Sequence, residues 1–263
     1  MPIYRSRVPT YPNHRSQSAI TIYIKLEVAL LQIACNNTAS IRSSKTHRQT
    51  QRSMANCFGE VVDNFKLDRI PRYVGRPKTR EDRAREATAL VNDDGKYQKA
   101  IEYVRGLKEW WGNGVSTLCL IYNETGDTLR HVEDHDWWGY MGPTPYPTEI
   151  GNGQWASFLH VKKTSASSGS QAGVVYRGKD SRGNERDFLI CWSSPWAAWH
   201  SNTAYCGIGN PGAFTSRWDT IYGSVNNAKG SWSADTGSCS VHATIGEHSS
   251  SFFTAYVAIP FGP

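Results

Sequence analysis

Residues 96–132, KYQKAIEYVRGLKEWWGNGVSTLCLIYNETGDTLRHV, change hydrophobic period part-way. In the first half Tyr97, Ile101, Val104, Leu107 and Trp111 recur at helical spacing, which predicts a helix over about 96–110 ended by Gly112-Asn113-Gly114. In the second half Val115–Tyr122 is a largely apolar run and reads as a strand. Asn123-Glu124-Thr125-Gly126 reads as a hairpin turn, with Asp127–Val132 as the return strand. Upstream, Thr79 before Arg80-Glu81-Asp82 has the T-x-x-D form of a capping box and opens a predicted helix over about 80–91. Asp93-Asp94-Gly95 breaks it from the next.

Downstream the strand period persists. Gln154–Val161, Gln171–Arg177, Asp187–Ser193, Thr203–Ile208, Ser238–Ile245 and Phe252–Ile259 are further strand candidates separated by Gly, Asn, Ser and Pro. One late helix interrupts them. Ser216-Arg217-Trp218-Asp219 looks like its start, and Trp218, Ile221, Tyr222 and Val225 share a face. About eight short strands with such turns predict a mainly β fold: an antiparallel β-sandwich with two N-terminal helices and one later helix packed on the sheets.

The 263 residues divide by composition. Of 29 Lys and Arg and 23 Asp and Glu, residues 1–53 take eight and one, leaving 21 and 22 for the rest. The basic balance thus comes from a tail rich in Ser, Arg and Thr, and nucleic-acid binding by the body is not expected. Ala19–Ala34 is apolar but interrupted by Lys25 and Glu27, too short for a membrane span and a poor signal peptide. The tail reads as disordered, either an organelle transit segment or an extension upstream of a start at Met54, the latter preferred. The expected organisation is 1–53 tail, 54–114 helical segment of the body, and 115–263 β-sandwich. A cytoplasmic location is expected, or an organelle if the tail targets one. Cys119 and Cys191 sit in apolar runs as buried thiols, and the odd number of cysteines in the body argues against a disulfide framework, though a Cys206–Cys239 bridge stays open.

No G-x-S-x-G elbow, Walker or dinucleotide glycine pattern is present, and no cofactor is expected. His131, Glu133 and His135 alternate, so on a regular strand they would share one face and could hold a divalent metal; a solvated strand end is the plainer reading. Asn36 and Asn123 head glycosylation sequons, the second explained by turn chemistry. The distinctive feature is aromatic. After Trp192-Ser193-Ser194, Pro195 stops strand pairing, and Trp196 and Trp199 follow among small residues that offer little to cover them. Exposed indoles can cage a cationic headgroup, stack on sugars or lie at a membrane interface. A second cluster, Trp137, Trp138 and Tyr140, runs into the proline-stiffened Gly142-Pro143-Thr144-Pro145-Tyr146-Pro147.

Val115–Gly126 (VSTLCLIYNETG), His135-Asp136-Trp137 with Gly142–Pro147, Gly151-Asn152-Gly153-Gln154-Trp155 and Val174–Lys179 (VVYRGK) resemble the plant jasmonate-induced protein family, from about Met54 to the C-terminus. The resemblance implies a plant stress or defence protein without an established enzymatic activity. More remotely, the order of elements is similar to actinoporin-like and fungal fruit-body-lectin-like sandwiches, whose aromatics engage phosphocholine headgroups or whose surfaces bind sugars. Carried onto this sequence, that likeness groups Ser193, Pro195, Trp196, Trp218 and Tyr222 around one pocket; Trp199 joins by proximity in sequence. Thr203-Ala204-Tyr205 replaces the aromatic pair expected after Ser201-Asn202, and the charged helix at Arg80–Glu86 is a poor membrane-inserting segment, so pore formation is not implied. The expectation is a non-enzymatic binding protein for a lipid headgroup or glycan, with peripheral membrane contact. The alternatives are a stress-induced interaction or scaffold protein with no small ligand, and a metal-dependent enzyme.

Overall fold

The computed structural model describes residues 56–197 and 199–261. The tail, with its expected targeting or upstream role, Cys35 and the Asn36 sequon, lies outside the described residues.

Two sheets stack. The larger has seven strands: β1 (Cys57–Phe58), β2 (Ser116–Glu124), β4 (Tyr140–Met141), β6 (Trp155–Val161), β10 (Ser231–Asp235), β11 (Ser240–Ile245) and β12 (Ser250–Ala258). Its order is β1-β6-β2-β12-β11-β10, with β4 also paired to β6. The smaller has the order β5-β3-β7-β8-β9, from β5 (Glu149–Ile150), β3 (Leu129–Trp138), β7 (Ser170–Lys179), β8 (Glu185–Ser194) and β9 (Thr203–Gly209). The β-sandwich read from the sequence is therefore correct, with two changes of detail.

First, the apolar run and its return strand do not form a hairpin. β2 pairs with β6 and β12 in one sheet, whereas β3 pairs with β5 and β7 in the other. The turn between them is an arch. The Asn123 amide donates to Asp127 O (2.8 Å) and Ile150 O (2.7 Å), and Gly126, at φ +76°, lies so close to helix residue Arg80 that a Cβ there would sit 2.2 Å from the Arg80 carbonyl oxygen. Asn123 is accordingly buried. Second, the sandwich is not wholly antiparallel, because β12 runs parallel to β2 from Ser250↔Ser116 to Ala258↔Glu124.

Among the described residues four α-helices flank the sheets: α1 (Asn64–Asp68), α2 (Arg80–Ala89), α3 (Lys96–Trp111) and α4 (Trp218–Asn226). The expected Thr79–Asp82 capping box is present, with reciprocal bonds of 3.1 and 2.9 Å. α3 lays Ala100, Ile101 and Val104 on the outer face of the larger sheet, beside Tyr122 and Trp155. That cover explains why β2 reads as an unbroken apolar run: both of its faces are buried. α4 begins without the side-chain cap expected from Ser216. Arg217 is its N-cap and makes no side-chain hydrogen bond there. What holds α4 is packing, since Ile221 and Val225 bury against Val175, Leu189 and Cys191 on the outer face of the smaller sheet, each worth roughly 1.5–3 kcal/mol.

Between the sheets lies the main core, including Trp192, Phe158, Phe253, Tyr176 and Phe188. All five described cysteines are free thiols, Cys206 and Cys239 among them, so the bridge left open between those two is not formed. Burial pushes the Cys206 thiol up to about 12 and the Cys119 and Cys191 thiols well above their ordinary value. Among the described residues no helix is long and apolar enough to cross a membrane.

Candidate functional site

The site is shaped by two irregularities in β3. His131 pairs with Tyr176, but Glu133 pairs with the next residue of β7, Val175, so Val132 is an inserted residue. Such a bulge reverses which face the following side chains take. His131 lies on the inner face, stacked on Tyr146 (5.6 Å between ring centroids) and edge-on to Tyr176, with Nε2 3.0 Å from Asp134 Oδ1. Glu133 and His135 turn to the outer face. Glu133 Oε1 accepts from Thr215 Oγ1 (2.9 Å), and His135 stacks on Trp218 of α4 (5.2 Å). The three-residue metal set read from alternation therefore does not assemble, because the strand is not regular where the pattern requires it.

The second irregularity falls between Asp136 and Trp138, which pair with Ala172 and Gln171, so Trp137 is the inserted residue. It leaves both Trp137 and Trp138 against α4. Trp137 packs beside Trp218 (5.8 Å) and Tyr222 (5.8 Å), and the Trp138 indole N–H donates to the Tyr222 hydroxyl (3.3 Å).

Beyond the ends of β7, β8 and β9 on this face opens a cavity of about 600 Å³. Trp138, Trp196 and Tyr222 are its aromatic walls. Gln171, Ser193 and Thr203, cross-strand neighbours on β7, β8 and β9, all line it, with Asn226 at the end of α4. The Gln171 amide donates to Asn226 Oδ1 (2.9 Å) and Thr203 Oγ1 donates to Val225 O (2.7 Å), fixing the end of α4 against the sheet. The Asn202 amide donates to Gly246 O (2.7 Å) and His248 O (2.9 Å), anchoring the return of the Trp196 loop. Among the described lining residues none is Lys, Arg, Asp or Glu. The cavity is a hydroxyl- and amide-floored space with indole and phenol walls and the His200 imidazole in its lining, suited to hydrogen bonding and ring-face contact.

The expected pocket residues divide. Ser193, Pro195, Trp196 and Tyr222 line the cavity, and so does Trp138 from the second aromatic cluster. Trp199 is 80% exposed on the adjoining loop and is not part of the lining. Trp218 is not a wall either. It packs inward over Gly173, where an added Cβ would lie 3.0 Å from its ring. Trp137 packs with it. Tyr146 is a core residue against His131 and Phe158 (5.0 Å), and Tyr140 is turned to Thr164, 3.2 Å between hydroxyls. Sequence reasoning missed Gln171 and Asn226, and also the Ser167-Ser168-Gly169 rim, whose signal was its run of small polar residues.

Beneath the floor runs a buried polar chain that was also missed. Ser194, a lining residue, lies 3.1 Å from Thr117 Oγ1, which lies 2.7 Å from Ser170 Oγ; Ser170 Oγ is 2.8 Å from His160 Nδ1, and His160 Nε2 is 3.1 Å from Asp136 Oδ1. Ser, His and Asp meet here, but Ser170 is fully buried beneath the floor and also donates to His160 O. The chain satisfies polar groups at the closed end of the core.

A family model described as Nakanori-like protein matches residues 58–259. The chain belongs to the Nakanori-like protein family. The chain is also 42% identical over 149 residues to the 23 kDa jasmonate-induced protein of Hordeum vulgare, covering 56% of this chain and 70% of that protein. It is 32% identical over 109 residues to a jasmonate-induced protein homolog of Atriplex canescens, 40% of this chain and 58% of that one. The kinship with jasmonate-induced proteins expected from the sequence motifs is therefore correct. Among solved structures, the lipid binding protein Nakanori superposes with a TM-score of 0.70 at 22% identity, covering 77% of this chain and 99% of that one, so the Nakanori-like chain shares its fold.

Proposed function

We propose that this Nakanori-like protein is a non-enzymatic, stress-related binding protein that recognises a membrane lipid headgroup in the cavity between Trp138, Trp196 and Tyr222. The observation that carries the reading is the open concavity with three aromatic walls and no Lys, Arg, Asp or Glu among its described lining residues, next to a Trp199 left 80% exposed. A quaternary ammonium is attracted to ring faces by roughly 0.5–2 kcal/mol per contact. The Ser193 hydroxyl and the remaining amide hydrogens of Gln171 and Asn226 offer hydrogen bonds to an ester or phosphate. The exposure of Trp199 supports a role for its ring in the interfacial layer, where an amphipathic ring is favoured. The solved Nakanori structure, described as a lipid binding protein, supports the ligand class, and the jasmonate-induced relatives support the stress role.

The test is co-sedimentation with vesicles of choline phospholipids, run beside a glycan array. The expected result is vesicle binding that falls at least tenfold in Trp196→Ala and Tyr222→Ala while their circular dichroism stays native. Binding to glycans alone would move the reading to a lectin. A wild-type protein that ignores both would leave the scaffold alternative, in which these rings meet another protein.

A further inference from the structure

Trp196 has a second side. Behind it lies another cavity, of about 420 Å³, between the end of α3 and the start of β12, lined by Lys108, Lys162, Asn113, Gly114, Ser249 and Ser250 together with Val115 and the Trp196 ring itself. Its chemistry differs from that of the aromatic-walled cavity. It has two ammonium groups and, among the described residues, no carboxylate in its wall.

Both lysines are held in place by backbone oxygens. Lys108 Nζ donates to Gly112 O (2.7 Å) and Gly114 O (2.8 Å) beyond the end of α3, and lies over the Trp111 ring at 4.6 Å. Lys162 Nζ donates to Ala166 O (2.9 Å) and Lys163 O (3.3 Å). An ammonium has three donors, so each retains one beyond these bonds, and neither is in an ion pair among the described residues. Gly114 closes the space between them: at φ +129°, a Cβ there would meet Lys162 Cε at 2.8 Å. The Ser249 hydroxyl adds a neutral donor, while the Ser250 hydroxyl already donates to Gly114 O (3.3 Å). Desolvation holds the Lys108 ammonium below its ordinary value, as befits a cation with no countercharge nearby.

We infer that this cavity is an anion subsite, taking a phosphate-type group between Lys108 and Lys162, with Trp196 as the partition between it and the aromatic-walled cavity. In so far as it describes a second part of one ligand surface it rests on the reading of the aromatic-walled cavity as a headgroup site. As a site for a phosphate it stands on its own geometry. The shared chemistry is a phosphomonoester dianion or an acidic lipid headgroup.

The experiment uses the full chain and two probes. In the first arm, sn-glycerol 3-phosphate is titrated and backbone amide shifts are followed by NMR. The expected result is saturable shifts concentrated at Gly114, Ser249 and Ser250, weakened at least tenfold in Lys162→Gln and restored in part in Lys162→Arg. Lys108→Gln is the companion variant, but Lys108 also caps α3, so the Lys162 variants decide the outcome. Non-saturable shifts, or shifts equal in Lys162→Gln, overturn the site. In the second arm, binding to choline phospholipid vesicles is compared with binding to the same vesicles containing phosphatidic acid. An acidic-lipid preference that Lys162→Gln abolishes assigns the anion to a lipid. Saturable glycerol phosphate binding without any such preference assigns it to a soluble phosphoester. If Trp196→Ala and Tyr222→Ala vesicle binding behaves as expected while the phosphate arm fails, the headgroup reading of the aromatic-walled cavity stands and the anion subsite falls; the reverse pattern separates them the other way.

Discussion

The indole N–H of Trp138 donates to the hydroxyl of Tyr222 across 3.3 Å, joining the end of β3 to the middle of α4 at the lip of the aromatic-walled cavity. Two cavity walls that are 84 residues apart in sequence thus hold one another in place. Removing the acceptor in Tyr222→Phe should lower stability by about 0.5–1.5 kcal/mol, the usual net worth of one hydrogen bond. A double-mutant cycle with Trp138→Phe, read by urea unfolding, should return a coupling of that order. Additivity of the two variants would show that the bond contributes nothing.

The two tryptophans that looked alike in the sequence should separate in mutagenesis. Trp218→Ala removes a ring packed on His135, Trp137 and Gly173, and should cost about 3 kcal/mol, lowering the thermal midpoint by roughly 6–12 °C. Trp199→Ala removes an exposed ring and should leave stability within about 0.5 kcal/mol while weakening vesicle binding. Scanning calorimetry and vesicle co-sedimentation on the same two variants check both halves.

Gly173 should be intolerant for a steric reason, not a conformational one. A Cβ there would stand 2.8 Å from Cys191 Sγ and 3.0 Å from the Trp218 ring. Gly173→Ala should therefore destabilise by about 1–3 kcal/mol, the range for overpacking a tight core, and should displace Trp218, visible as a change in near-ultraviolet circular dichroism. Gly223, on the open side of α4 with nothing within 4 Å of an added Cβ, is the control, and Gly223→Ala should be neutral or stabilising.

Much of this was legible in the residues. The period change at Gly112-Asn113-Gly114, the Thr79 capping box and the strand runs fix the fold class because burial on one or two faces writes itself directly into hydrophobic spacing. What was not legible is where a strand departs from regular alternation. Val132 and Trp137 are ordinary strand residues, and nothing in their identity marks them as inserted. Yet they decide that His131 faces away from Glu133 and His135, and that Trp137 and Trp138 both meet α4. The arch at Asn123–Gly126 has hairpin-turn composition, and only the approach of α2 to Gly126 shows that the chain changes sheets there. Pocket membership was half legible for the same reason. Pro195 and Trp196 follow from a strand that must stop, whereas the inward turn of Trp218 depends on the room left by Gly173 across the sheet.

Alkaline pH should weaken the fold through its thiols. Burial raises Cys119, Cys191, Cys206 and Cys239 above their ordinary values, Cys206 to about 12. The unfolded chain therefore releases these protons first. The associated stability is full below the unfolded thiol value of about 8.5, and falls as pH rises from there toward the folded values, by up to about 1.4 kcal/mol per pH unit for each thiol. Lys96 opposes this. It is buried, its ammonium donates to Gly153 O (2.7 Å) and Tyr122 OH (3.2 Å), and desolvation lowers it to about 8, so its unfavourable charge is progressively relieved as pH rises from about 8 to 10.5. Urea unfolding between pH 7.5 and 9.5 (about the thiol range) should show Cys206→Ala with a shallower decline than wild type and Lys96→Met with a steeper one. Parallel curves for all three would contradict the assignment.

The side-by-side alignment of β12 with β2 has a bearing on how the protein comes to be made. The centre of the larger sheet is filled by residues 250–258, which follow every other described strand of that sheet in the chain, and until they arrive β2 and β11 have no bridge between them. A nascent chain carrying everything up to residue 249 thus holds two open strand edges that are apolar and ready to pair with a neighbour. Deleting residues 250–258 is therefore equivalent to pulling the keystone from the sheet's middle rather than shortening a loose end.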